Sequence, residues 1–163
     1  MFTLSDVLNI AVQIEKNGED TYRRVAGQIK DPELAQMFKW MAEEEKRHGE
    51  VFAAIIDDRE LTTEQAELEA MGRALLQDIV RSQTFSLDQE QLARTTSLDD
   101  LLIQSIEFEN DTLGFFEFLS GFLDAPEAVK QLGVIIEQER GHVKHLEEIR
   151  LNTKSIAAYD IEL

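Results

Sequence analysis

Residues 41–52, MAEEEKRHGEVF, and residues 135–146, IIEQERGHVKHL, carry the same Glu-x-x-His motif at the same place: Glu45 with His48, and Glu139 with His142. Thirty residues before each paired Glu stands a single one, Glu15 and Glu109. Every member of the second set lies 94 residues after its counterpart in the first. Four carboxylates and two imidazoles are therefore distributed over two copies of one unit, and that distribution decides how the chain is read.

Residues 3–58 and 97–152 align without a gap, with eleven of 56 pairs identical, and all three pairs of motif residues fall among the identities. A repeat of this length is a structural unit that buries its apolar face against its neighbour. Each copy reads as two helices. The first opens at Thr3 with Asp6 three residues on, the second at Ser97 with Asp100, both resembling a capping box with Asp for Glu. The first helix of copy one has the stripe Leu4, Leu8, Ala11, Glu15, Gly18, Tyr22, Val25, Ile29. Steps of four and three mark a helix buried along one seam. Its repeat is Leu98, Leu102, Ser105, Glu109, Thr112, Phe116, Leu119, Leu123. Lys30-Asp31-Pro32 and Asp124-Ala125-Pro126 make the turns, with Pro at or near the first helical position. The second helices carry Leu34, Phe38, Met41, Glu45, His48, Phe52, Ile55 and Ala128, Leu132, Ile135, Glu139, His142, Leu146, Ile149.

The connector, residues 59–96, has a capped start at Thr62-Thr63-Glu64-Gln65 and a stripe of Leu68, Met71, Leu75 and Ile79, then a polar loop over 83–96. No pattern follows Arg150. The expected fold is all-α: one domain over residues 1–163, a four-helix bundle of two repeated hairpins with an extra connecting helix.

Composition agrees. The 163 residues are 43% hydrophobic, with two Pro and eight Gly, and the net charge is −17. Such an acidic surface repels nucleic acid and anionic membrane. No apolar run approaches the roughly 18 residues needed to span a bilayer, and no basic segment followed by an apolar core opens the chain. A cytoplasmic protein is expected. With no cysteine there can be no disulfide, iron–sulfur centre or thiolate metal site in this sequence.

All six motif residues fall on the seams, where Leu or Ile belongs. Burying an uncompensated carboxylate costs several kcal/mol, and the stripes hold no Lys or Arg to neutralise them. Two divalent cations would. A solvated salt-bridge face is the ordinary explanation of a Glu-rich helix, and it suits Glu19, Glu33, Glu50, Glu147 and Glu148, which lie off the stripes. It does not account for Glu on the seam. Oxygen and imidazole donors without thiolate suit iron or manganese, and less specifically zinc. The expected metal ligands are Glu15, Glu45, His48, Glu109, Glu139 and His142. Tyr22, on the seam beyond Glu15, is either an ordinary core tyrosine or one whose hydroxyl meets a ligand carboxylate. Its repeat partner is Phe116. His145 lies off the stripe and reads as surface, as do Glu107 and Glu137.

The segments IEKNGEDTYRRVA (14–26), MAEEEKRHGEVF (41–52), FENDTLGFFEFL (108–119) and IEQERGHVKHLEEI (136–149) resemble the rubrerythrin branch of the ferritin-like di-iron carboxylate superfamily. The resemblance covers residues 3–152. It implies Glu15 and Glu109 as the single-Glu ligands and Glu45/His48 and Glu139/His142 as the paired ones. Rubrerythrins usually add a ligand Glu one turn after the third-helix Glu. Thr112 stands there, and the remaining six resemble the ligands of bacterioferritin. Rubrerythrin proper also has a cysteine-ligated rubredoxin domain, for which this chain has no cysteine.

The function this implies is a dinuclear redox protein that reduces peroxide or activates dioxygen, with electrons from a separate donor. The alternatives are ferritin-like iron oxidation and storage, or a non-enzymatic metal-binding bundle. A homo-oligomer is expected, a dimer rather than a shell.

Overall fold

A computed structural model describes residues 4–57, 62–64, 66–67, 70–71, 97–121, 123 and 125–159. Four long helices account for nearly all of them: α1, Leu4–Gln28; α2, Pro32–Asp57; α3, Leu98–Ser120; and α4, Pro126–Tyr159. No strand occurs among the described residues. The helices start where the sequence places them. Asp31 Oδ1 accepts from the N–H groups of Glu33 and Leu34, both at 2.9 Å, and Pro32 takes the first helical position, where no N–H is missed. Ser97 caps α3 by accepting from Asp100 N–H at 3.1 Å, and its hydroxyl donates to Asp100 Oδ2 at 2.8 Å.

α1 packs along α2 and α3 along α4, and the two hairpins then meet through α1 with α3 and α2 with α4. Pairs along the second joint are His48 with Gln138 and Trp40 with His142. One number falls as the other rises, so α2 and α4 run antiparallel. The core lies in two apolar clusters. One gathers Ile14, Tyr22, Phe38, Met41, Leu102, Phe108 and Leu146. The other gathers Leu8, Phe52, Phe116, Leu119, Leu132 and Ile135. The seam residues of the four helices are buried or half-buried wherever their side chains are described.

One difference concerns the end of the chain. α4 continues past Arg150 to Tyr159. Extending an existing helix needs no new nucleus, residues 151–159 contain neither Gly nor Pro, and Thr153 bonds back to the Ile149 carbonyl at 2.8 Å. No apolar period is required for that, so none announced it. In the connector, Thr63, Glu64, Ala66, Glu67, Ala70 and Met71 are helical, and Ala66 N–H reaches the Thr62 carbonyl at 2.9 Å. Met71 is exposed. Thr3, Leu68, Leu75, Ile79 and the loop expected over 83–96 lie outside the described residues.

Candidate metal centre

Each helix brings its polar seam residues to the same level of the bundle. Glycine helps at one point. A Cβ on Gly18 would come within 3.1 Å of Glu45 Cγ and 3.2 Å of the Phe108 ring. Gly inside a helix costs about 0.5–1 kcal/mol against Ala, and here the missing side chain makes room for Glu45.

All six expected ligands are brought together, and none is more than 2% exposed. They form two overlapping groups: Glu15, Glu45, His48 and Glu139; and Glu45, Glu109, Glu139 and His142. Within each group one ligand atom per residue lies within 4.8 Å of all the others. Glu45 and Glu139, at corresponding places in the two repeats, belong to both. The histidines present Nδ1 to the carboxylates. His48 Nδ1 is 2.7 Å from Glu139 Oε1 and 3.7 Å from oxygens of Glu15 and Glu45. His142 Nδ1 is 3.1 Å from Glu139 Oε2 and 3.4 Å from Glu45 Oε1.

Most of these atoms do not satisfy one another. Both oxygens of Glu15 and of Glu45, Glu109 Oε2, Glu139 Oε1 and His48 Nδ1 are buried without a hydrogen-bond partner. His48 Nδ1 and Glu139 Oε1 are close, but not along hydrogen-bond directions. Lone pairs that converge on a common point, not on each other, are what a cation needs. The charges fit as well: four carboxylates with two neutral imidazoles balance two divalent ions.

Without metal, protons take over that balance. Burial, then the charge of Glu45, raises Glu15 well above the ordinary carboxylate range, and the same two causes raise Glu109. Burial would raise Glu45 too, but the neighbouring His142 and His48 hold it below that range. Burial opposes charge on His48, yet Glu139, Glu15 and Glu45 outweigh it and push the imidazole up to about 12. His142 is raised against its burial by Glu109, Glu139 and Glu45. A metal ion would have to displace these protons, which would link its binding to pH.

Around this core the surroundings are specific. The buried Tyr22 hydroxyl donates to Glu109 Oε1, one of the two readings its sequence position left open. Burial and the charge of Glu109 raise its pKa, so it keeps that proton. Ser105 and Thr112, flanking Glu109 along α3, are buried with hydroxyls that have no hydrogen-bond partner. Trp40, 45% exposed, meets the His142 ring edge-on with centroids 5.3 Å apart, and meets the exposed His145 at 6.5 Å. Glu107 and Glu137 are exposed as expected.

Two residues escaped the sequence reading. His48 Nε2 lies 3.2 Å from Gln138 Oε1, and Gln138 Nε2 donates to Glu44 Oε2 at 3.1 Å. Arg47 pairs with the other Glu44 oxygen. Glu44 and Gln138 are 94 residues apart, so they are repeat mates, each just before a Glu of the buried cluster. That offset was the available signal.

Two solved structures share the architecture. One is a Thermotoga maritima protein assigned as a ferritin-like diiron-carboxylate protein. It is 24% identical, with 93% of this chain and 97% of that one covered and a TM-score of 0.73. The other is a hypothetical protein from Pyrococcus furiosus, 22% identical, with 93% and 92% covered and a TM-score of 0.59. No curated protein matches. The family profile of rubrerythrin matches residues 6–150. That span takes in most of both hairpins and all six converging residues, and the chain belongs to the rubrerythrin family.

Proposed function

We propose that the centre holds two iron ions and reduces peroxide with electrons from a separate donor. The observation that carries this reading is the sharing of Glu45 and Glu139 between two groups of three carboxylates and one imidazole. Glu15 and His48 would hold one ion, Glu109 and His142 the other, and Glu45 and Glu139 both. Manganese suits the same donors, and zinc less specifically. When bound, the metal pair supplies the two-electron change.

The chain's own residues do the rest. Ile14, Phe38, Met41 and Phe108 pack in the adjoining cluster and exclude water, which strengthens every charge interaction inside. Tyr22 occupies Glu109 Oε1 and leaves Oε2, 3.8 Å from His142 Nδ1, as the oxygen available to a metal. With no cysteine in the chain, repeated turnover requires a separate electron carrier. A second reading, ferritin-like iron oxidation, is favoured by Thr112 standing where the resemblance calls for a further carboxylate.

Stopped-flow oxidation of the anaerobic diferrous protein separates the two. Faster oxidation by peroxide than by dioxygen, with about two irons per chain, supports the peroxidase. The reverse preference with many more irons retained supports storage. Size-exclusion mass tests the dimer that we also propose.

A further inference from the structure

We infer that the two metal positions are unequal, and that Gln138 is the positioning residue that makes the Glu15/His48 position fill first. The inference rests on the two-ion reading above and deepens it. A carboxylate only accepts hydrogen bonds, so the Gln138 group facing Glu44 Oε2 must be its amide nitrogen, 3.1 Å away. Arg47 pairs with the other Glu44 oxygen. The Gln138 amide oxygen is thereby turned toward His48 Nε2, at 3.2 Å. An amide oxygen only accepts, so Nε2 carries the hydrogen. A neutral His48 then has its lone pair on Nδ1, the atom that faces Glu15, Glu45 and Glu139. The direction of the whole chain is set by Glu44, and it leaves His48 one tautomer, the metal-binding one.

His142 has no such support. By the repeat, Glu44 stands where it could serve His142 as Gln138 serves His48, but Arg47 and Gln138 already engage both of its oxygens. His142 Nε2 is buried without a hydrogen-bond partner, and its ring meets Trp40 edge-on instead. The hydrogen bond its ring does make, Nδ1 to Glu139 Oε2 at 3.1 Å, is to an acceptor and calls for the hydrogen on Nδ1, the atom that would have to be free for a metal. Outer partners of ligand histidines are typically worth 10–100-fold in metal affinity, and only one of the two positions has one.

The test is titration of the metal-free protein with cobalt(II), read by ligand-field absorption and calorimetry. Wild type should bind in two steps, the first roughly tenfold or more tighter. Gln138→Met keeps the shape and removes the bond, and because Gln138 is exposed the core stays intact. It should weaken the first step roughly 10–100-fold and leave the second unchanged, so that the steps merge. Glu44→Gln, which lets the amide of Gln138 turn over, should weaken the first step by less. Two ions bound with equal affinity in wild type would overturn the inequality while leaving the two-ion reading intact. So would a Gln138→Met variant that weakens both steps alike. Fewer than two cobalt ions at saturation would overturn the two-ion reading itself.

Discussion

The two hairpins contribute the same three residues to the centre and surround them differently. Tyr22 of the first hairpin corresponds to Phe116 of the second, Gly18 to Thr112, Trp40 to Val134 and Glu44 to Gln138. Only one hairpin therefore sends a hydroxyl to its partner's single Glu, and only the other sends an amide to its partner's His. The surface differs as well. Arg23 of α1 pairs with Glu43 of α2 at 2.8 Å. Their repeat mates, Glu117 and Glu137, are both acids, and Arg140 bridges them. Residues that face the shared centre are fixed within the repeat, while those one layer out have diverged. Approximate symmetry thus builds the six-residue cluster, and its local failures distinguish one half from the other.

The strongest challenge to this view is to remove a shared residue and compare it with an unshared one. Glu45→Ala or Glu139→Ala should abolish binding of both ions, whereas Glu15→Ala or Glu109→Ala should leave one. Cobalt stoichiometry checks this, and equal losses from all four variants would contradict the shared role of Glu45 and Glu139.

Next in size is the pH dependence of the metal-free protein, to which both hairpins contribute with the same sign. Glu15 and Glu109 are raised by burial and then by Glu45, so the folded form keeps protons that the unfolded chain releases. Their contribution falls as pH rises from the ordinary carboxylate range through the raised values. His48, raised to about 12, contributes fully below its ordinary 6.5 and loses that contribution as pH climbs toward 12. The lowered Glu45 acts the other way, but only in acid. The thermal midpoint of the metal-free protein should therefore fall steadily from about pH 6.5 upward. The metal-loaded protein should change less over the same range. A flat or rising profile without metal would remove the proton account of the site.

Two substitutions make the first hairpin more like the second. Tyr22→Phe copies Phe116 and leaves Glu109 Oε1 without its donor. A cost of about 1–3 kcal/mol in denaturant unfolding is expected, and no change would mean that the hydroxyl bond contributes nothing. Arg23→Glu copies Glu117 at an exposed position. Exposed ion pairs contribute little, so the thermal midpoint should stay within error, and a clear drop would give the surface pair a weight this account denies it.

What could be read in advance follows from where information sits in a helical chain. Burial repeats every three or four residues, so Leu8, Phe38, Leu102 and Leu132 declared themselves, and a Glu in such a series stood out. The 94-residue offset joined the two triads before any fold was known. Glu44 and Gln138 were passed over because they differ from each other and lie beside the seam, and their bond to each other crosses between the hairpins. Trp40 and His145 meet for the same kind of reason: neither lies on a stripe, and the contact crosses the joint between α2 and α4. The length of α4 depends on propagation and leaves no periodic trace.

The backbones run closer together within each hairpin than between hairpins, although both core clusters cross the joint, and that has a kinetic consequence. Contacts within a hairpin close over turns of a few residues, so each can form early and locally. Bringing the hairpins together requires closing the long connector between Asp57 and Leu98 and burying four carboxylates at one point. Protonated Glu15 and Glu109 lessen that cost without metal, so docking need not wait for an ion. Acidity, more than the supply of ions, would then set how readily the last stage of folding completes.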